Sequence, residues 1–188
     1  MSSHSNAKVF GAGLLLTAAL GLSAAGCSSS IAKSPDVAGS IRTALDQAGL
    51  KEISVSQDRD KGVITLTGTT QTESNKEQSE TIAKSIAGSE VVADQVSVNP
   101  PGDDGTAKKV DTDIDKGIAD NLDAALVGNH LHDQVKYDVK NGVVKLTGTV
   151  NSENKRSTVE RMAASVPNVK QVVNELDVKD QKASSTQP

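Results

Sequence analysis

The sequence predicts an α+β protein made of two tandem α-β-β-α-β units, each a three-stranded sheet with two helices on one face. Two observations carry that prediction. The first is an internal repeat. Gly62-Val63-Ile64-Thr65-Leu66-Thr67-Gly68-Thr69 lines up with Gly142-Val143-Val144-Lys145-Leu146-Thr147-Gly148-Thr149 at a shift of 80 residues. The alignment runs on without a gap through Glu73/Glu153, Glu80/Glu160, Ala83/Ala163, Ser85/Ser165, Val92/Val172 and Val98/Val178. Upstream the shift becomes 77, pairing Val37 with Ile114, Ile41 with Ile118 and Leu45 with Leu122. That change places three extra residues in copy two, around Gly128-Asn129-His130. The second observation is the apolar period, which switches from helical to alternating and back within each copy.

The elements follow in order. Val37, Ile41, Ala44, Leu45 and Ala48 fall at i, i+4, i+7, i+8 and i+11, one face of a helix. Ser34 with Pro35 marks its expected start, since proline is tolerated in a first turn. Ile114, Ile118, Leu122 and Ala125 repeat the face in copy two. Ile53 and Val55 alternate with polar neighbours, as do Val135, Tyr137 and Val139, so a strand comes next. The turns are Asp60-Lys61-Gly62 and Lys140-Asn141-Gly142; Asn-Gly supplies the positive φ angles of a tight hairpin. The following strands are 63–69 and 143–150. A second helix is expected to begin near Ser74 and Ser152, with Ser74 and Glu77 at capping-box spacing. Its apolar face is Ile82, Ala83 and Ile86, or Val159, Met162, Ala163 and Val166. The last strand alternates as Val92, Asp94, Val96, Val98, and as Val172, Asn174, Leu176, Val178. Such strands have one polar and one apolar face, and two helices cover the apolar one. A unit of about 65 residues is close to the lower limit of independent stability, so packing of the copies on each other is a second source of support to look for.

The flanks complete the expected organisation. Lys8 precedes a short apolar run that ends in Ala24-Ala25-Gly26 before Cys27, the pattern of a secretory signal peptide over residues 1–26. A spanning helix needs about 20 apolar residues, more than residues 9–22 provide. Ala24-Ala25-Gly26-Cys27 resembles a bacterial lipobox, with Ala24 where leucine is usual. The resemblance implies cleavage before Cys27 and acyl chains carried on its sulfur. Residues 27–34 are a tether, 35–100 the first unit, 101–109 a linker rich in Pro, Gly and Asp, 110–180 the second unit, and 181–188 a polar tail expected to be disordered.

Composition narrows the function. Cys27 is the only cysteine, so a lipidated chain has no thiol left for a disulfide or a thiolate metal site. Phe10 lies in the leader, and Tyr137 is the only other aromatic residue. The formal net charge of −4 becomes −5 once Lys8 leaves with the leader. A basic footprint and stacking aromatics are both missing, which excludes nucleic acid as the expected partner.

The repeated residues carry a family resemblance. Gly142-Val143-Val144-x-Leu146-Thr147-Gly148-x-Val150, a helix centred on Ala163, and Val169 to Val178 with Asn174 resemble the BON (bacterial osmotic-shock and nodulation) domain. Copy one is similar but looser, with Thr70 for the valine and Asp94 for the asparagine. Two copies behind a lipobox resemble the dual-BON lipoproteins of Gram-negative envelopes. The resemblance implies non-enzymatic modules at the periplasmic face of the outer membrane, contacting phospholipid or envelope proteins and supporting integrity under osmotic stress. Ser28 after the cysteine fits outer-membrane sorting in that group. A periplasmic holdase and a potassium-binding sensor are the alternatives.

Candidate chemistry is sparse. His130, His132 and Asp133 form a partial zinc set, short of the three or four protein ligands a zinc site uses. Asp111, Asp113, Asp115, Asp120 and Asp123 crowd the start of copy two, where carboxylates favour a helix macrodipole. No cofactor and no catalytic group are expected, since no nucleophile–base pattern or phosphate loop is present. Lys155, Arg156 and Arg161 on the last helix are the candidate phospholipid contacts, because surface binding uses basic side chains. The same three residues are equally what a solvated helix face carries.

Overall fold

A computed structural model of the chain describes residues 33–179 apart from residue 104. Cys27, the leader and the tail from 181 on lie outside the described residues. Copy one contains α1 (Ala38–Gln47), β1 (Ile53–Asp58), β2 (Val63–Thr70), α2 (Glu73–Ala87) and β3 (Val91–Val98). Copy two contains α3 (Thr106–Gly128), β4 (Val135–Lys140), β5 (Val143–Val150), α4 (Glu153–Ala164), β6 (Gln171–Asn174) and β7 (Asp177–Val178). The fold is α+β, as expected from the repeat.

Each copy holds one mixed sheet. β1 pairs antiparallel with β2, and β2 pairs parallel with β3, so β2 is central. β5 takes the same place between β4 and β6. The expected last strand of copy two is interrupted at Glu175-Leu176, yet β7 keeps the parallel register on β5, with Thr149 opposite Asp177. Helices cover one side of each sheet. Ile41, Leu45, Ile64, Leu66, Ala83 and Val96 form the centre of the first core. Leu122, Leu126, Val144, Leu146, Val159 and Ala163 form the second. Ile41, Leu45, Leu122 and Leu126 are fully buried, each adding about 2 kcal/mol by removal from water.

Four expectations are corrected in detail. α1 begins at Ala38, past Ser34-Pro35, because Gln57 of β1 caps it from the sheet. The Gln57 Oε1 atom accepts the Val37 and Ala38 N–H groups at 3.1 and 3.2 Å, and its Nε2 donates to the Pro35 carbonyl at 2.7 Å. This long-range cap has no local sequence signal. α2 is capped by Thr72, not Ser74: the Thr72 hydroxyl accepts the Asn75 N–H at 3.2 Å. Ser152 does cap α4, accepting from Lys155 N–H at 3.3 Å.

The third correction concerns the register of the first helices. Leu50 N–H bonds to the Leu45 carbonyl, and Leu131 N–H bonds to that of Leu126, each at 2.9 Å. Structurally, then, Leu45 corresponds to Leu126 and Ile41 to Leu122, one helical turn beyond the pairing expected from the sequence. A four-residue slip keeps the same helix face inward, so apolar spacing cannot detect it. Three extra residues near Gly128 are therefore not needed. Instead the loop from Leu131 to Val135 is one residue longer than that from Leu50 to Ile53, and the second hairpin is two residues tighter. Lys140 pairs with Val143 around Asn141-Gly142, whereas Asp58 pairs with Val63 around residues 59–62. Asn141 and Gly142 have φ of 52° and 79°, the left-handed pair expected of that turn.

The fourth correction concerns the faces turned away from the helices, which are not simply polar. Val63 and Ala93 of copy one meet Val143 and Val173 of copy two in one buried hydrophobic cluster. Side chains alternate across a strand, so Val63 lies opposite in sense to Ile64, and Val143 to Val144. The contact has an internal two-fold logic. Val63 and Val143 are equivalent at the 80-residue shift, as are Ala93 and Val173. Lys61 pairs with Asp177, and their counterparts Asn141 and Ser97 also meet.

Candidate functional site

The three basic candidates on α4 do not converge. At about 100° per residue, Lys155 and Arg161 point about 120° apart around the helix. Lys155 is exposed. Arg156 straps the helix to the sheet: its guanidinium reaches the Asn174 carbonyl at 3.4 Å and Glu153 at 3.3 Å. Asn174 answers by donating to Glu160 at 3.0 Å. Arg161 lies back along α4, donating to the Ser157 carbonyl at 3.4 Å and the Thr158 hydroxyl at 3.3 Å. Lys155 and Arg161 keep their outward position, while Arg156 has a structural task.

The acidic run at the start of copy two also finds specific work. α3 begins at Thr106, inside the segment expected as linker, so these carboxylates sit beyond its first turn. Its first N–H groups are met by Asp103, which accepts from Ala107 at 3.2 Å. Asp115 accepts the Asn141 and Gly142 N–H groups at 2.7 and 2.8 Å and so clamps the second hairpin. Asp113 pairs with Lys109 and Asp120 with Lys116. Asp123 holds His132 Nδ1 at 2.9 Å and accepts from the Tyr137 hydroxyl at 3.3 Å. Burial first, and then the Asp123 charge, push the Tyr137 hydroxyl above the usual phenol range. His130 has φ of 56° at the end of α3. Among the described residues no group of three or more His, Cys, Asp or Glu is arranged to hold a metal ion.

One residue stands out because it interrupts the apolar, helix-facing side of a strand, between Val92 and Val96. Asp94 on β3 is 8% exposed. Burial pushes its carboxyl above the ordinary carboxylate range. The Val96 N–H and Lys76 oppose that rise, while Glu80 and Glu73 add to it. The signal was present in the sequence, since Asp94 occupies the position of Asn174. The Asn141 side chain was likewise unread beyond its turn. It is 7% exposed and donates to the Gln95 carbonyl at 2.7 Å and to the Ser97 hydroxyl at 3.0 Å.

These features define a tandem-repeat protein: two mixed-sheet modules backed by helices and joined through their open faces. A model of the BON domain matches residues 34–100 and again residues 111–180, and the chain belongs to the BON-domain family. It is similar to osmotically-inducible protein Y of Escherichia coli (strain K12), with 28% identity over 144 residues covering 72% of this chain and 67% of that protein. Two solved structures of CdsD, a structural protein of the type III secretion system of Chlamydia trachomatis, share 17% and 16% identity, with TM-scores of 0.32 and 0.30. Each alignment covers 76% of this chain, but only 62% and 67% of the CdsD chains. At that level the likeness says nothing of function.

Proposed function

We propose that the protein is a non-enzymatic contact module of the cell envelope, held by acyl chains on Cys27 at the periplasmic face of the outer membrane. Its work is to support the envelope under osmotic stress through contact with phospholipid or envelope proteins. The observation that carries this reading is the pairing of two BON domains with the lipobox-like Ala24-Ala25-Gly26-Cys27. Similarity to osmotically-inducible protein Y supports the stress-related, periplasmic part. The outer sides of β2 and β3 meet those of β5 and β6 at Val63, Ala93, Val143 and Val173, so the helical layers and the exposed outer sides of β1 and β4 are free to meet a partner. Lys155 and Arg161 are the residues offered to anionic headgroups. The several chains of a lipoprotein cysteine anchor firmly by themselves, so the domains need only weak additional affinity.

Flotation of residues 28–188 with zwitterionic and anionic vesicles tests the lipid arm. The expected result is flotation with anionic vesicles only, reduced by moderate salt because exposed charges are screened, and reduced again by Lys155→Glu with Arg161→Glu. Absence of flotation under every condition would remove phospholipid contact by the domains and leave Cys27 with a protein partner.

A further inference from the structure

The two copies place different residues at one equivalent position, and the difference has chemistry. In copy two, the Asn174 Oδ1 atom accepts the Leu176 N–H at 3.2 Å, which leaves the Nδ2 group to donate to Glu160 at 3.0 Å. In copy one, the Asp94 Oδ1 atom accepts the equivalent Val96 N–H at 3.0 Å. Glu80 is the equivalent of Glu160, and its carboxylate is held by Lys84 at 2.6 Å. Asparagine can donate permanently, whereas aspartate donates only when protonated. Asp94 is also nine-tenths buried, on a strand covered from both sides.

We propose that Asp94 is a proton-operated latch: on acidification it takes up a proton and makes to α2 the bond that Asn174 makes permanently to α4. The groups facing it bear on this reading. From α2 these are Glu73, Lys76, Glu77, Glu80 and Lys84, and from copy two Lys170, all lining a cleft of about 400 Å³ with Asp94. Glu80 and Glu73 favour the protonated form and Lys76 opposes it, while burial is the largest influence and favours protonation. Val143 and Gln171 of copy two close the same cleft. Gln171 donates across the interface to the Val92 carbonyl at 2.8 Å. The latch therefore sits where copy one meets copy two, and the occupant of the site is a proton.

The sign follows from linkage. A carboxyl raised in the folded state binds its proton more tightly folded than unfolded. Relative to Asp94→Asn, the wild type is expected to gain stability as pH falls through the folded pKa, with the gain complete below the unfolded value near 3.8. On the proposed periplasmic reading, acidification adds a stabilising contribution to copy one through Asp94 that copy two, with Asn174 at that place, does not receive.

The test uses residues 27–188 with Cys27→Ser, compared with the same chain carrying Asp94→Asn or Asn174→Asp. Asp94 carboxyl titration and amide exchange of β3 are followed by NMR between pH 7 and pH 4, with exchange corrected for intrinsic rates. In wild type, β3 protection relative to Asp94→Asn should rise severalfold as pH falls toward 4, since the gain grows as pH drops through the raised folded pKa. Asn174→Asp should transfer pH-dependent protection to β6. Titration of Asp94 in the ordinary carboxylate range, or equal pH profiles for wild type and Asp94→Asn, would overturn the latch.

Discussion

The two copies share a centre and differ at their entrances. β2, α2 and β3 correspond to β5, α4 and the β6–β7 pair at a constant 80-residue shift, and the centre of each core corresponds: Ile64 with Val144, Leu66 with Leu146, Ala83 with Ala163 and Val96 with Leu176 are all buried. The first helices do not. Ala38 corresponds to Ala119, yet α3 reaches back to Thr106. In copy one the chain enters extended, with Ser34 N–H on the Arg59 carbonyl at 2.9 Å, and Gln57 caps the short helix. Val139 stands where copy one has Gln57, and there the helix runs on. The N–H groups of the hairpin turn are satisfied in both copies, in copy one by the hairpin's own Asp58 and in copy two by the entering helix. Asp58 accepts from Asp60 and Lys61 at 3.0 and 3.1 Å; Asp115, from the long helix, accepts from Asn141 and Gly142. A buried sheet centre admits few solutions because its ladder and packing are both constrained. A turn at the surface needs only a carboxylate within reach, and it can come from either direction.

The sharpest test of the shared centre lies in Gly68 and Gly148. Their φ angles are 129° and 122°, and an added Cβ would lie 2.1 Å from the Glu52 carbonyl oxygen and 2.3 Å from that of Gln134. Both obstacles are backbone at the start of an antiparallel strand and cannot swing aside. Gly68→Ala and Gly148→Ala are each expected to cost at least about 3 kcal/mol, combining backbone strain with a steric clash. Urea titration followed by circular dichroism would measure this. Tolerance in only one copy would mean that the equivalence of the centres is apparent only.

A somewhat smaller effect is expected where the copies join. Ala93 and Val173 are 2% and 1% exposed at equivalent places in the shared cluster. A carboxylate at either site would be buried without a partner, a penalty of about 3 kcal/mol. Part of it can be relieved by separation of the modules. Ala93→Asp and Val173→Asp should therefore enlarge the radius of gyration in X-ray scattering while secondary structure persists. Similar responses would support the internal two-fold. A change from only one variant would show that the interface is held from one side.

Much of this architecture was legible in the sequence because it is written in periodicities. The repeat, the hairpin at Asn141-Gly142 and the Ser152 cap are all local patterns. The four-residue slip of the first helix was not legible, since Ile118, Leu122 and Leu126 lie on one face whichever pairing is chosen. Gln57 as a cap and Asp115 as a clamp act across 20 and 26 residues, at positions where no local rule applies. The interface did leave a trace: Val63, Ala93, Val143 and Val173 break the polar side of the strands at the same places in both copies. For the basic candidates on α4, residue type was legible but direction was not, and Arg156 turned out to be occupied with Asn174.

The smallest expected effect separates the two halves of the interface. Lys61 and Asn141 are equivalent, and each reaches the opposite copy. Lys61 pairs with an Asp177 carboxylate that is 66% exposed. An exposed pair of this kind contributes about 0.5 kcal/mol or less, because water and salt compete for both charges. Asn141 is buried and engages Gln95 and Ser97, so truncation strands the Gln95 carbonyl and removes a side chain suited to positive φ. Asn141→Ala should cost about 2 kcal/mol, the scale of an unsatisfied buried polar group. Lys61→Ala should be close to neutral and insensitive to added salt, whereas wild type should lose its small advantage as salt rises. Thermal unfolding of both variants at low and high salt would settle the contrast. A Lys61→Ala loss as large as that of Asn141→Ala would mean that the exposed pair, not the buried amide, carries the polar part of the junction.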